Sequence, residues 1–131
     1  MKRIVSVLLM VGAVLAVAAP NTSADVKVVA ECDENKRTKR PDAMIFACGD
    51  AGLQATDLSW KSWGGQRAKA KGTIIYKLCE PDCASGGVAL RSGKVTLYGK
   101  TRCGRRLWVY QRARIKVWNG PVTKIRLWPC S

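Results

Sequence analysis

Histidine is absent from this 131-residue sequence, which removes the Ser-His-Asp and Cys-His catalysts together with the commonest general base. Catalysis would then fall to carboxylates. Asp50, Asp57, Glu80 and Asp82 could form a glycosidase-like pair in principle, but nothing in their spacing makes them converge, and a turn or loop position accounts for each. The reading is therefore non-catalytic, with no metal site and no cofactor. Cys79 and Cys83 enclose Glu-Pro-Asp, which is not the spacing of a redox Cys-x-x-Cys, so a structural disulfide role is expected of both.

The remaining chemistry is ionic and aromatic. Formal net charge is +14, and it is uneven: residues 25–82 carry ten Lys and Arg against nine Asp and Glu, whereas residues 83–131 carry eleven Lys and Arg and no acid at all. Trp108, Tyr110, Arg112, Arg114, Lys116, Lys124, Arg126 and Trp128 form a candidate polyanion-binding platform, on which anionic groups meet cations and planar groups stack on rings. The competing reading is a solvated outer face, its rings packed under long Lys and Arg stems. Trp60 and Trp63 invite a carbohydrate-binding reading, but three residues apart on a strand they point to opposite faces. Trp60 is then expected to join Leu58 in the core, leaving at most Trp63 exposed.

Strands must position these groups. Met44–Cys48 is a short apolar run closed by the turn Gly49-Asp50-Ala51-Gly52, a second strand covers Leu53–Trp63, and a third covers Arg67–Cys79 with explicit period two. A Pro-, Gly- and Ser-rich loop is expected over Glu80–Gly93, then strands over Lys94–Thr101, Arg105–Trp118 and Val122–Trp128. Cys32–Pro41 reads as a polar loop. No helical spacing runs over ten residues, so the fold class is all-β: a small antiparallel sandwich or barrel of about six strands. Matching apolar to apolar faces across the last turn requires a three-residue loop. With Asn119, Gly120 and Pro121 in that loop, Ile115 meets Ile125, Lys116 meets Lys124, and Arg114 meets Arg126.

At the start of the chain Lys2 and Arg3 precede an apolar and small-residue run from Ile4 to Ala19, the layout of a signal peptide. Spanning a bilayer takes about 20 apolar residues, so cleavage is expected instead, with Thr22 and Ala24 supplying the small residues before the cut and Asp25 beginning the mature chain. Residues 1–24 are thus read as the leader and 25–131 as one secreted basic domain. No Cys directly follows the apolar run, and an extracellular protein without a lipid or transmembrane anchor is expected. All six cysteines, Cys32, Cys48, Cys79, Cys83, Cys103 and Cys130, lie after the leader and read as three disulfides with the pairing open.

The segments Ile45–Gly64 and Cys79–Gly86 contain a Cys-Gly-Asp turn, a Leu-x-Trp-x-x-Trp strand and a Cys-x-Pro-x-Cys-Ala loop. In these motifs the first half of the mature chain resembles a group of small exported actinobacterial proteins. The resemblance implies export and a β-rich fold, and it supplies no catalytic or binding residues. The chain departs from that pattern after Gly87, where Val88–Gly93 replaces an aromatic strand entry.

The function expected is that of a secreted binding module whose partners are acidic polymers or anionic envelope surfaces. An inhibitor or antimicrobial effector that inserts the Cys79–Gly93 loop into a protein target is the alternative, and wall-associated packing without a specific ligand is a third class.

Overall fold

Short runs of β-branched, aromatic and small apolar residues, alternating with Lys, Arg, Ser and Thr, form eight strands in the computed structural model, which describes residues 13, 25–33, 35–128 and 130. Apart from Ala13, the expected leader lies outside the described residues. The strands are β1 (Asp25–Val29), β2 (Arg37–Thr38), β3 (Met44–Ile45), β4 (Leu53–Ser62), β5 (Ala68–Lys77), β6 (Val88–Arg102), β7 (Leu107–Val117) and β8 (Val122–Arg126). No helix occurs among the described residues. The fold is all-β and disulfide-stabilised, a single curled sheet forming a half-barrel.

The sheet runs β2-β1-β7-β6-β5-β4-β3, and β8 shares an edge of β7 with β1. β1 lies along Leu107–Val109 and is parallel to β7, the one parallel pairing in a sheet otherwise built of antiparallel neighbours; β8 lies along Arg112–Lys116. Period-two alternation turns one apolar set to the concave side. Ala55, Ala68, Ala70 and Ala113 are all buried there between Ile74, Leu97 and Ile115, and such small side chains let the strands curl closely over the larger ones.

Two irregularities change which side chains face inward. In β4 the pairing with β5 shifts register between Thr56 and Ser59 and again between Trp60 and Ser62, and Asp57 takes a φ of 53°. These bulges bring both indoles to the core, so Trp60 and Trp63 do not point to opposite faces as strict alternation requires. Their rings meet edge to face at 4.7 Å. Trp60 Nε1 donates to the Pro41 carbonyl and Trp63 Nε1 to that of Val26, both at 2.8 Å. Each polar tip is thereby satisfied within the protein.

The second irregularity is in β6 and β7. Tyr110 and Ala113 are both fully buried in one core although they stand three positions apart, an odd offset that alternation forbids on one face. Across from this point Gly99 has a φ of 67°, a left-handed backbone that glycine takes without steric cost. The kink reverses the facing of Leu107–Tyr110 relative to Arg112–Val117.

β6 also begins at Val88, six residues earlier than the Lys94 start expected from sequence, because β5 continues to Lys77 and pairs it with Val88. The loop between them shrinks to Leu78–Gly87 and is cross-linked internally by Cys79–Cys83. Cys32–Cys48 ties the segment after β1 to the one after β3, and Cys103–Cys130 ties the β6–β7 turn to the chain beyond β8. Residues 25–29, where Val26 and Val28 alternate with Lys27, pair with β7 and with residues 37–38, a two-residue strand inside the Cys32–Pro41 stretch expected as a polar loop.

Candidate polyanion interface

Lysine and arginine occupy the convex positions of four consecutive strands, and strand pairing sets them side by side. Lys71 of β5 pairs with Lys94 of β6, which pairs with Lys116 of β7. One step along the sheet Lys69 pairs with Thr96, Thr96 with Arg114, and Arg114 with Lys124 of β8. A further step brings Tyr98, Arg112 and Arg126 into line. Neighbouring strands are about 4.8 Å apart and same-face residues along a strand about 7 Å, so the cations form a closely spaced lattice. Lys61 on β4 extends it: the nearby Lys71 ammonium, and more weakly Lys94, hold its own ammonium below the ordinary lysine value of 10.5.

No ion pair among the described residues engages these cations. The salt bridges are Lys27 and Lys39 with Asp25, Lys36 with Glu31, and Lys77 with Asp50, all away from the lattice. β5, β6, β7 and β8 contain no Asp or Glu. Like charges set directly opposite each other on a sheet lower stability, so the folded state carries the cost of this arrangement.

The structure divides the eight platform residues expected from sequence. Arg112, Arg114, Lys116, Lys124 and Arg126 share the convex face. Tyr110 does not: it is fully buried, its hydroxyl accepting from Gly64 N at 3.0 Å and donating to the Gly65 carbonyl at 2.8 Å. Trp108 is half-buried against the core on the same side, with Lys100 Nζ 5.7 Å from its ring centre. Trp128 lies past the end of β8, lining a cleft with Arg126 of the lattice and with Val29, Ile45 and Phe46.

The hairpin register is likewise shifted by two residues from the one expected. Its three loop residues are Trp118, Asn119 and Gly120, closed by Val117 N donating to the Pro121 carbonyl. Proline serves at that position because only its carbonyl is required, and Asn119 accepts the left-handed φ of 51°. A shift of two preserves the faces. The opposed cation pairs become Arg112 with Arg126 and Arg114 with Lys124.

Trp118 is the aromatic residue that belongs with the cations. It is 71% exposed and lines an open groove of about 700 Å³ with Lys71, Lys94 and Lys116, over a floor made by the paired Gly72 and Gly93. Its parity with Lys116 is visible in the sequence. The placement of Lys61, Lys69, Lys71 and Lys94 is not, because it depends on strand order.

No family model, curated protein or solved structure matches the chain.

Asp50 and Asp82 serve local structure. Asp82 accepts from Ala84 N and Ser85 N within the disulfide loop. Asp50 accepts from Lys77 Nζ at 3.1 Å and from Gly52 N at 2.9 Å, and these partners hold it below the ordinary aspartate value of 3.8. A depressed carboxylate stabilises the fold fully above its unfolded value and loses that contribution as pH falls through the folded one. Replacing Asp50 with Asn is expected to lower the melting temperature slightly at neutral pH, and the gap to wild type should close on acidification below about pH 3.8. Parallel melting curves in acid and neutral buffer check this, and a gap that persists unchanged in acid would separate the contribution from the carboxylate charge. Among the described residues no group of three or more His, Cys, Asp or Glu could hold a metal ion.

Proposed function

We propose that the chain is exported with residues 1–24 as its leader, and that residues 25–131 act as a non-catalytic binding module for polyanionic polymers or surfaces. The observation that supports this reading is the convex cation lattice, in which Lys71, Lys94 and Lys116 face one another in a row without a carboxylate partner among the described residues. A partner that neutralises the lattice relieves the repulsion at the moment it binds. Three disulfides, and the absence among the described residues of a helix long and apolar enough to cross a membrane, agree with work outside the cell.

The test is retention on immobilised heparin and on single-stranded DNA across a salt gradient. Replacing Lys94, Arg114, Lys116 and Lys124 together with Gln should flatten the slope of log affinity against log salt by about 3, at roughly 0.7 for each lost contact on a single-stranded polyanion. The same replacement at Lys36, Lys39, Arg40 and Arg105 removes equal charge elsewhere and should alter the slope much less. Thermal stability of the lattice variant should hold or rise, since opposed cations are relieved. Equal effects from the two variants would reduce the binding to net charge alone and overturn the reading.

A further inference from the structure

Large apolar side chains are exposed at one end of the cation lattice. Trp118 is 71% exposed, Leu90 61% and Val122 43%. Strand pairing places them together. Trp118 N donates to the Ser92 carbonyl at 2.8 Å, and Leu90 lies two residues from Ser92 on the same face of β6 and lines one cleft with Ser92 and Trp118. Val122 is paired with Lys116. The lysine row Lys71-Lys94-Lys116 lies one step of about 7 Å behind Trp118 along the strands. Moving along the sheet, Leu90 and Trp118 come first, and the cations follow with Val122 at the end of their row.

Each part of this pattern bears on the partner's chemistry. A dissolved polyanion calls for cations and, if it carries bases, for stacking rings, but it gives no reason to expose leucine and valine beside them. A bilayer interface uses all three: aliphatic groups enter the boundary between headgroups and acyl chains to a depth of about 5–10 Å, tryptophan settles at the headgroup level, and lysines reach back to anionic phosphates on long apolar stems. Trp118, one row ahead of the lysines, falls at the headgroup level, and Leu90, one row further on, reaches the acyl boundary. Acidic residues mark the limit of the contact, since Glu80 and Asp82 lie in the loop beyond Val88 and would be repelled by the same surface.

We propose that the Leu90 and Trp118 tip, with the lysine row and Val122 behind it, is a docking site for an anionic lipid bilayer surface, an inference that rests on the polyanion reading and narrows it to one partner. The tip partitions into the interface and the lysines hold the phosphates. Neither part suffices, because three apolar side chains give a weak anchor and each lysine near an anionic surface adds only about fivefold in affinity.

Binding of the disulfide-intact protein to vesicles of phosphatidylglycerol in phosphatidylcholine tests this, with pure phosphatidylcholine vesicles and a heparin column beside it. Wild type should bind the anionic vesicles and leave the neutral ones. The Leu90→Ala, Val122→Ala double variant should lose roughly tenfold in vesicle affinity, the scale expected from apolar area no longer buried, while its elution from heparin stays near wild type, since neither side chain belongs to the cation groove. Both side chains are exposed, so a melting curve like that of wild type is expected and confirms that folding is unaffected. The difference in emission between wild type and Trp118→Phe should shift to the blue on vesicles and be quenched by brominated acyl chains. Wild type that is retained on heparin but ignores the vesicles would overturn the lipid inference and leave the polyanion reading standing. A double variant that binds vesicles as wild type does would also overturn it, by showing that charge alone carries the contact. Failure of wild type on both supports would remove both proposals.

Discussion

Tyr110→Ala is expected to lower the free energy of unfolding by about 3–5 kcal/mol, the range for removing a buried aromatic ring and leaving its cavity. The ring is fully buried and meets Trp63 edge to face at 5.5 Å, and Trp63 in turn meets Trp60. One truncation therefore removes a partner from a chain of three rings that joins β7 to β4. Tyr110→Phe keeps the ring and deletes the hydroxyl, which bridges Gly64 N and the Gly65 carbonyl across the β4–β5 turn. Its cost should be about 1–2 kcal/mol, because both glycines lie in a turn where water can replace part of what is lost. Denaturant unfolding of the two variants checks the order. If phenylalanine proves as costly as alanine, the hydroxyl bridge rather than the ring would be what fixes the turn.

The second large effect is expected at Gly72, where β5 passes under the bulge of β4. A Cβ there would lie 2.5 Å from the Thr56 carbonyl oxygen and 2.9 Å from a methyl of Leu58. The oxygen belongs to the backbone of a paired strand and cannot turn aside as a side chain can. Gly72→Ala should thus cost about 1–3 kcal/mol, and the larger Gly72→Val more. Gly49→Ala is the matched control, with nothing within 4 Å of the added carbon, and is expected to stay within about 0.5 kcal/mol of wild type. Thermal or urea unfolding of the three variants gives the comparison. A neutral Gly72→Ala would show that β4 can lift away from β5 at the bulge.

Alternation carried much of the fold into the sequence. The strands over Leu53–Ser62, Ala68–Lys77, Leu107–Val117 and Val122–Arg126 are legible from it, as is the shared face of Arg112, Arg114, Lys116, Lys124 and Arg126. Parity is all that such a pattern fixes, so the β7–β8 pairing could slide by two residues without moving any side chain to the other face. A bulge cancels parity locally, which is why Tyr110 and Trp63 lie inward against expectation; in β7 the signal was a lone glycine on the neighbouring strand, Gly99, that no reading of β7 alone would consult. The lysines of β5 and β6 join the lattice only through strand order, a long-range property with no local signature. In β1 Val26 and Val28 alternate with Lys27, but a run of five residues becomes a strand only at an edge that β7 supplies.

That last pairing also governs the order in which the molecule can assemble. β4, β5, β6 and β7 are successive antiparallel neighbours joined by short connections, so each can zip onto the one before it with little loop to close. β1 has no such neighbour in sequence. Its partner on β7 starts at Leu107, so the edge it needs does not exist until the meander has reached that strand. Contacts of this separation slow folding, because the entropy of closing the intervening chain is lost before any pairing repays it. Until β1 docks, Val26 and Val28 remain in water and the Val26 carbonyl is missing from the Trp63 indole, so docking of this strand seals the open side of the half-barrel core.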